Sequence, residues 1–461
     1  MNALGLLTGL LDAGTFRSWD TPQPESVITG EGLLRGRRVA VAASEFGFLG
    51  GSVGLAAGER LTAAVERATA RRLPLVVLPA SGGTRMQEGT LAFLQMVKIT
   101  AAVTAHKRAG LPYLVYLRHP TTGGVFASWA SLGHLTLAEP GALIGFLGPR
   151  VYEALAGRPF PAGVQTAENL RAHGLVDAVL PPAELAAYLD AVLTALTPAP
   201  GEDPVTPPPA ALAPGQAPAW ESVLRSREPG RPGASELIGA MATDVVRVRE
   251  TGLILALARA GGRPCVLVAQ DRTGPTADVA ALRLASRGML LAEDLRIPLV
   301  TVIDTPGAEL SPQAEEQGLA SEIAQCIALM INLRTATVAV LLGEGTGGGA
   351  LALLPADRVL AAQDAWLAPL APEGASAIVY KDTAHAPELA ARQRIRSADL
   401  ARDGIVDRVL PDTEALGRAV RDELWFLARQ DDASRTAARL RRYRRLGRGR
   451  GEPPAGSIMR S

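Results

Sequence analysis

Paired glycines are the residues of this chain whose type and spacing point to chemistry. Gly123-Gly124 lies in PTTGGV and Gly348-Gly349 lies in GTGGGA, an offset of 225 (348 − 123). Each pair follows an apolar run typical of a buried strand and precedes a helix-like run. Backbone N–H groups at such a turn bind anionic oxygen, because they point outward at a helix N-terminus. We therefore predict one oxyanion hole in each half of the chain, with tight strand–helix packing as the alternative interpretation.

The side chains offer no comparable chemistry. The five histidines have no HxxxH or HExxH spacing, no G-x-S-x-G motif surrounds a serine, and GEGTGGGA has no Walker lysine. The acidic pair Glu315-Glu316 is typical of a helix N-terminus. The chemistry is therefore expected to depend on backbone donors and on a base that a substrate or cofactor supplies.

The glycine pairs belong to a longer duplication. LPLVVLPASGG (73–83) recurs as IPLVTVIDTPG (297–307) at an offset of 224 (297 − 73), and HGLVDAVLP (173–181) recurs as DGIVDRVLP (403–411). The second pair of segments aligns Asp177 with Asp407, an offset of 230 (407 − 177). Because order and spacing persist over most of both halves, the sequence indicates two copies of one fold.

Strand-like and helix-like segments alternate in each copy. In the first copy, the predicted strands are 37–43, 73–80, 111–117 and 142–146, and the predicted helices are 58–72 and 90–110. Continuous apolar strands that alternate with helices predict an α/β fold with a mostly parallel, helix-covered sheet.

Composition and charge exclude several classes of protein. The chain has 461 residues, 48% of them hydrophobic, and a net charge of +1, so nucleic acid is not expected as a partner. Cys265 and Cys326 are the only cysteines, and both are predicted to be buried thiols. The first residues make a poor signal peptide, and no run of 18 apolar residues occurs, so we expect a cytoplasmic protein without a membrane span.

Two segments mark the predicted domain boundaries. Residues 197–218 are proline-rich and predict an extended linker between the domains 1–196 and 219–433. Residues 434–461 are rich in arginine, glycine and proline. We expect a basic, partly disordered tail there, whose first part can form a solvated helix.

With these motifs in place, the chain resembles the carboxyltransferase component of biotin-dependent acyl-CoA carboxylases. The first half is similar to the bacterial acetyl-CoA carboxylase β subunit in FGFLGGSVG (46–54), ASGGTRMQEG (80–89) and PTTGGVFASWASLGH (120–134). The second half is similar to the α subunit in AWESVLRSREPGRP (219–232), IDTPGAELSPQAEEQG (303–318) and GEGTGGGALAL (343–353). The similarity extends from about residue 8 to residue 412.

The resemblance implies a ClpP/crotonase-like ββα superhelix in each half, that is, tandem crotonase-like domains. It also implies that Gly123 and Gly124 hold the thioester enolate oxygen, and that Gly348 and Gly349 hold the biotin ureido oxygen. A basic ureido nitrogen left after decarboxylation of carboxybiotin then takes the α-proton, which fits the missing side-chain base. The implied reaction is carboxyl transfer from carboxybiotin to acetyl-CoA, giving malonyl-CoA for fatty acid or polyketide synthesis.

The resemblance also implies further binding positions. The candidate CoA contacts are Ser81, Gly82, Gly83, Arg85, Gly148 and Arg150. A surface or structural ion pair is the alternative interpretation for the two arginines. The candidate residues on the biotin side are Asp304, Thr305 and Gly307, for which ordinary turn chemistry is the alternative.

Departures from the family pattern bear on cofactors and partners. The four-cysteine zinc ribbon of the bacterial β subunit is absent, so no zinc is expected, and His134 stands where the family tends to carry Asp. None of the three lysines lies between two methionines. The expected partners are therefore a separate biotin carboxyl carrier protein and a biotin carboxylase, with acyl-CoA as substrate and a homo-oligomer as the assembly. A biotin-linked malonyl- or acyl-CoA decarboxylase and a catalytically silent interaction subunit remain open as alternatives.

Overall fold

A computed structural model describes residues 2–201, 217–274 and 276–447. Most of the predicted linker (202–216) and the end of the predicted tail (448–461) lie outside the described residues. Within the described residues, the chain divides after Thr197 into two compact units, with Asp294–Arg296 grouped with the first.

The first unit contains a seven-stranded sheet in the order β1-β2-β3-β4-β5-β7-β9, with β6 and β8 paired separately. Its strands are β1 (Arg17–Ser18), β2 (Val27–Leu34), β3 (Arg37–Ser44), β4 (Leu75–Leu78), β5 (Tyr113–Leu117), β6 (Thr121–Thr122), β7 (Leu135–Ala138), β8 (Ile144–Gly145) and β9 (Ala178–Val179). Its helices are α1 (Ala3–Leu10), α2 (Leu55–Ala70), α3 (Gly89–Arg108), α4 (Gly123–Phe126), α5 (Pro149–Ala156), α6 (Ala167–Ala172) and α7 (Pro182–Ala195).

The second unit repeats this order as β10-β11-β12-β13-β14-β15-β17, with β16 paired to β14. Its strands are β10 (Ala242–Glu250), β11 (Leu253–Ala260), β12 (Arg263–Gln270), β13 (Leu299–Thr305), β14 (Thr337–Thr346), β15 (Arg358–Ala362), β16 (Trp366–Ala368) and β17 (Arg408–Leu410). Its helices are α8 (Ala219–Ser226), α9 (Ala234–Met241), α10 (Val279–Leu295), α11 (Pro312–Glu316), α12 (Leu319–Asn332), α13 (Gly347–Leu351), α14 (Pro372–Tyr380), α15 (Ala386–Gln393), α16 (Ser397–Arg402), α17 (Thr413–Leu427) and α18 (Asp432–Arg445).

Both sheets begin with antiparallel strands and continue with parallel ones, which confirms the predicted α/β alternation. The first three strands of each sheet pair antiparallel, and every later pair in the order is parallel. The central parallel strands are buried, as in LVVL of β4 and YLVYL of β5. Both cysteines are buried free thiols, as predicted. The predicted strand 142–146 shortens to β8, which lies outside the main sheet.

The aligned aspartates accept a backbone N–H in the same way in both units. An Asp177 carboxylate oxygen accepts the Thr136 N–H at 2.7 Å, and an Asp407 carboxylate oxygen accepts the Val359 N–H at the same distance. His134 makes a similar contact with a backbone N–H, because its Nδ1 accepts the Tyr113 N–H at 3.0 Å. In the second unit, Asp357 accepts the Thr337 N–H at 2.8 Å. An unprotonated imidazole nitrogen therefore replaces a carboxylate oxygen as the acceptor.

The arginine-rich segment after residue 431 differs from the predicted solvated tail. Residues 432–445 form α18, and its Arg435 and Arg439 are buried in the second unit. Arg439 donates to both carboxylate oxygens of Asp357 at 2.9 Å and to the carbonyls of Met330 and Leu333 at the end of α12. The guanidinium is buried because carboxylate and carbonyl oxygens occupy its donors.

Candidate active site: two glycine turns

The first glycine turn lies beyond the carboxyl end of β4. The Ser81 hydroxyl donates to the Gly51 carbonyl at 2.6 Å and accepts the Gly83 N–H at 3.0 Å. A parallel bridge fixes the next residues, since the Val53 N–H donates to the Gly83 carbonyl and the Arg85 N–H donates to the Val53 carbonyl, both at 2.9 Å. The Thr84 N–H lies between these bonds and has no hydrogen-bond acceptor among the described residues.

A second backbone donor lies beside this turn. Gly123 begins α4 with a φ of +64°, and its N–H donates to the Phe146 carbonyl at 3.1 Å. Within the described part of the chain, the Gly124 N–H has no acceptor, as expected for the second residue of a helix. A Cβ on Gly83 would lie 3.4 Å from the Gly124 nitrogen. The space in front of this amide is therefore open only because residue 83 is glycine.

The second unit reproduces the turn at an offset of 224. Thr305 takes the place of Ser81 (305 − 81), and its hydroxyl accepts the Gly307 N–H at 3.2 Å. The Glu309 N–H donates to the Ala277 carbonyl at 3.1 Å, as the Arg85 N–H donates to Val53. The Ala308 N–H is the counterpart of the Thr84 N–H and likewise has no acceptor in the described ranges.

The structural register of the second glycine pair is one residue earlier than the sequence alignment predicted. Gly347, with a φ of +61°, begins α13 as Gly123 begins α4, an offset of 224 (347 − 123). Gly348 is therefore the counterpart of Gly124. Gly349 still borders the turn, because a Cβ on it would lie 3.2 Å from the Ala308 nitrogen. Both predicted glycines of the second half thus lie at the turn, although they are not the equivalent pair.

The walls of the two turns differ. A Cβ on Gly124 would lie 3.2 Å from the Thr84 hydroxyl and 3.4 Å from the Met96 side chain of α3. A Cβ on Gly348 would lie 2.7 Å from the Ile323 side chain of α12. The backbone geometry is repeated, and the side chains that shape the space around it are not.

Arg85 has the ion pairs of a structural residue. Its guanidinium contacts the Glu25 carboxylate, the Glu88 carboxylate at 3.0 Å and the Ser52 carbonyl at 3.0 Å, and its side chain is 8% exposed. Burial favours a higher pKa for Glu25, but the hydrogen bonds from Arg85 and from the Ser26 N–H outweigh it and lower that pKa. This geometry favours the ion-pair interpretation over a CoA contact.

Gly148 and Arg150 lie at the start of α5. Gly148 is the residue that caps this helix, and its carbonyl accepts the Tyr152 N–H at 3.1 Å. The side chain of Arg150 lies outside the described residues. The adjoining Leu147 carbonyl accepts the Gln165 side-chain amide at 2.7 Å, which fixes the segment next to the Gly123 turn. A CoA contact of either residue stays a prediction.

Asp304 ties together the strands that carry the second turn. Arg231 donates to both of its carboxylate oxygens, at 2.8 and 2.7 Å, and the Glu344 N–H donates to it at 3.1 Å. Burial raises the pKa of Asp304, and the Arg231 charge partly offsets that rise. Sequence reasoning did not single out Arg231. Asp304 therefore positions the ends of β13 and β14, while Thr305 and Gly307 form the turn itself.

Comparisons with known proteins show the family to which the chain belongs. The sequence profile of the family "Carboxyl transferase domain" matches residues 15–409. The chain is 56% identical to the "probable biotin-dependent acyl-coenzyme A carboxylase beta3 subunit" of Mycobacterium tuberculosis, over 95% of this chain and 97% of that protein. The chain belongs to the carboxyltransferase family of biotin-dependent acyl-CoA carboxylases.

Further relatives support the fold and the family. The chain is 40% identical to the "acetyl-coenzyme A carboxylase carboxyl transferase subunits beta/alpha" of Salinispora arenicola, over 92% of this chain and 82% of that protein. Its structure resembles a transcarboxylase 12S crystal structure with a TM-score of 0.79 and 23% identity, covering 93% of this chain and 90% of that one. The predicted crotonase-like fold is thereby confirmed. The family match ends at residue 409, before α17 and α18.

In residues 2–201, 217–274 and 276–447, no three His, Cys, Asp or Glu side chains form a possible metal-ligand set. Over the same ranges, every helix falls short of the length and apolar character that crossing a bilayer requires.

Proposed function

We propose that this carboxyltransferase moves the carboxyl group of carboxybiotin, held on a separate carrier protein, to acetyl-CoA to form malonyl-CoA. The observation that supports this most strongly is the repeated turn, in which two amides without acceptors face a space that only glycine leaves open. A reaction with two different oxyanions needs two such sites, and a duplicated fold supplies them. The fused β-type and α-type organisation belongs to this proposal.

In the proposed reaction, the first unit binds the thioester. The N–H groups of Thr84 and Gly124 donate to its carbonyl oxygen, which gains negative charge when the α-carbon loses its proton. The closed Ser81–Gly83 loop and the bridge to Val53 hold these donors before the substrate arrives. Preorganised donors do not need to reorient during the reaction, and this is the source of their effect on rate.

The second unit is proposed to bind the ureido oxygen of biotin. The donors there are the N–H groups of Ala308, Gly348 and Gly349, which have no acceptors among the described residues. The glycine at 349 fits a flat ureido group, because any side chain there would crowd the Ala308 amide. When bound, carboxybiotin supplies CO2 and a basic nitrogen, so the chain itself needs no general base.

Acetyl-CoA is the acceptor that we favour among acyl-CoA thioesters. The 40% identical relative carries an acetyl-CoA carboxylase name, whereas the 56% identical ones carry a name that specifies only acyl-CoA. The proposed partners are a biotin carboxyl carrier protein and a biotin carboxylase, since the sequence has no lysine between two methionines. We also propose a homo-oligomeric assembly.

The test reconstitutes the chain with biotinylated carrier, biotin carboxylase, ATP and bicarbonate, and offers acetyl-, propionyl- and longer acyl-CoA in parallel. We expect malonyl-CoA as the main product. Preference for a longer thioester would retain carboxyl transfer and correct the substrate. Decarboxylation of malonyl-CoA without any biotin acceptor would favour the decarboxylase alternative, and complete inactivity with all thioesters would favour an interaction subunit.

A further inference from the structure

Gln270 connects three elements around the second glycine turn. It is the last residue of β12 and is 2% exposed. Its side-chain Nε2 donates to the Gly349 carbonyl of α13 at 2.9 Å, and its Oε1 accepts the Asp304 N–H of β13 at 3.3 Å. A single side chain therefore links the ends of two strands to the helix that begins at the turn.

The chemistry of these partners permits only one orientation of the amide. The Gly349 oxygen can only accept and the Asp304 N–H can only donate, so a flipped amide would place oxygen against oxygen and donor against donor. Because α13 ends at Leu351, its own backbone is too short to provide an i+4 donor for Gly349 within the helix. Gln270 provides that donor from a neighbouring strand.

The first unit fixes its turn in another way. There, the counterpart of the Gly349 carbonyl is that of Val125 (349 − 224), which accepts the Ser128 N–H at 3.4 Å, a bond made within the segment that follows the turn itself. In the second unit the support comes from a distant part of the chain, 79 residues away in sequence (349 − 270). Gln270 is thus specific to the unit that we assign to the biotin side.

We propose that Gln270 is a positioning residue for the second oxyanion turn. It fixes the peptide that follows Gly349, and a Cβ at Gly349 would be only 3.2 Å from the Ala308 amide. The loss of Gln270 would leave the Gly349 carbonyl without this side-chain donor, and it would remove none of the amide donors of the turn. This inference rests on the proposed function, because it assigns the Gly348–Gly349 turn to the biotin-dependent half of the reaction.

Two variants test the inference. Gln270→Met keeps most of the side-chain volume and removes both hydrogen bonds. Gln270→Glu keeps the shape and introduces a carboxyl group that can donate to the Gly349 carbonyl only when it is protonated. Gln363→Glu changes an exposed glutamine of the same unit and controls for the added negative charge.

The measurements are kcat and KM for the biotinylated carrier, Kd for acetyl-CoA by calorimetry, and the thermal midpoint. We expect Gln270→Met to lower kcat about tenfold, within the range for the loss of two buried hydrogen bonds, and to leave the Kd for acetyl-CoA within twofold. Gln270→Glu should be less active than Gln270→Met at neutral pH and should recover relative to wild type as the pH falls. Gln363→Glu should match wild type.

Three results would overturn the inference. Transfer by Gln270→Met within twofold of wild type would show that the turn needs no such support. Equal losses in kcat, CoA affinity and thermal midpoint, with no recovery of Gln270→Glu at lower pH, would indicate general destabilisation. Wild-type protein without biotin-dependent transfer would reject the proposed function, and this inference with it, which separates that failure from the other two.

Discussion

Replacing Gly83 by alanine tests whether the first turn is an oxyanion site. The added Cβ would lie 3.4 Å from the Gly124 nitrogen and 3.5 Å from the Gly123 Cα, which is ordinary van der Waals contact. The methyl group therefore fits, but it occupies the space through which an acceptor oxygen must approach the amide to about 2.9 Å. Residue 83 has a φ of +109°, so alanine also adds strain of about 1–3 kcal/mol.

The expected loss of activity exceeds what strain alone would cause. Loss of one oxyanion donor lowers the rate by about 10²–10³, roughly 3–4 kcal/mol in transition-state stabilisation. Gly83→Ala should lose carboxyl transfer by that factor while it remains folded by circular dichroism. It should still carry out slow, abortive decarboxylation of carboxybiotin, because the second turn is unchanged.

Gly36→Ala is the matched control for backbone strain. Gly36 has a φ of +80° in the β2–β3 hairpin, and a Cβ there would meet no atom within 4 Å. We expect a comparable decrease in thermal midpoint and wild-type turnover. If Gly83→Ala keeps transfer within about threefold of wild type, the Gly124 amide is not an oxyanion donor and the reasoning fails.

The remaining predictions concern stability and metal content. Arg439→Met removes the main ion partner of the buried Asp357 carboxylate and should lower the unfolding free energy by about 3 kcal/mol in urea titrations. The change Arg441→Met at an exposed arginine of the same helix should leave that free energy unchanged. Equal urea midpoints for the two variants would contradict this prediction. Burial lowers the pKa of His106 to about 4 from 6.5, so the folded state favours the neutral imidazole. Stability should therefore be complete above pH 6.5 and fall by about 3 kcal/mol as the pH drops to 4, a slope that His106→Gln should remove in denaturation curves. Chelator-washed protein should contain no stoichiometric zinc by metal analysis, since two cysteines cannot supply a four-cysteine site.

The duplicated architecture could be predicted because it follows from local patterns in the amino-acid sequence. Apolar runs form equivalent strands in the two copies, as LVVL at 75–78 and LVTV at 299–302 do. The aligned Asp177 and Asp407 accept equivalent backbone N–H groups. These features depend on residues close in sequence or on a repeat of constant spacing. The position of the glycine turns after buried strands follows from the same patterns.

The exact register of the second turn could not be predicted. Three consecutive glycines, Gly347–Gly349, align equally well with a pair at either offset. Only the backbone conformation decides between them, because Gly347 is the one of the three that has a positive φ, as Gly123 has. Sequence contains no signal for that angle when every candidate residue is a glycine.

The burial of the C-terminal arginines also needed the tertiary structure. A run of arginines normally indicates a solvated surface, and the sequence of α18 has that character. Arg439 is buried because Asp357, 82 residues earlier, and carbonyls at the end of α12 converge on it. Arg85 and Asp304 are similar cases, since Arg85 pairs with Glu25 and Asp304 pairs with Arg231, both distant in sequence.

The most direct test of the account is transfer of radiolabelled carboxyl from biotinylated carrier to acetyl-CoA, measured for wild type, Gly124→Val and Gly349→Val. The account predicts labelled malonyl-CoA with wild type only when the carrier is biotinylated, and a loss of about 10²–10³ for each variant. Gly349→Val should also abolish decarboxylation of carboxybiotin while acetyl-CoA binding stays measurable by calorimetry. Label transfer by Gly349→Val within about threefold of wild type would show that the second turn is not the biotin site.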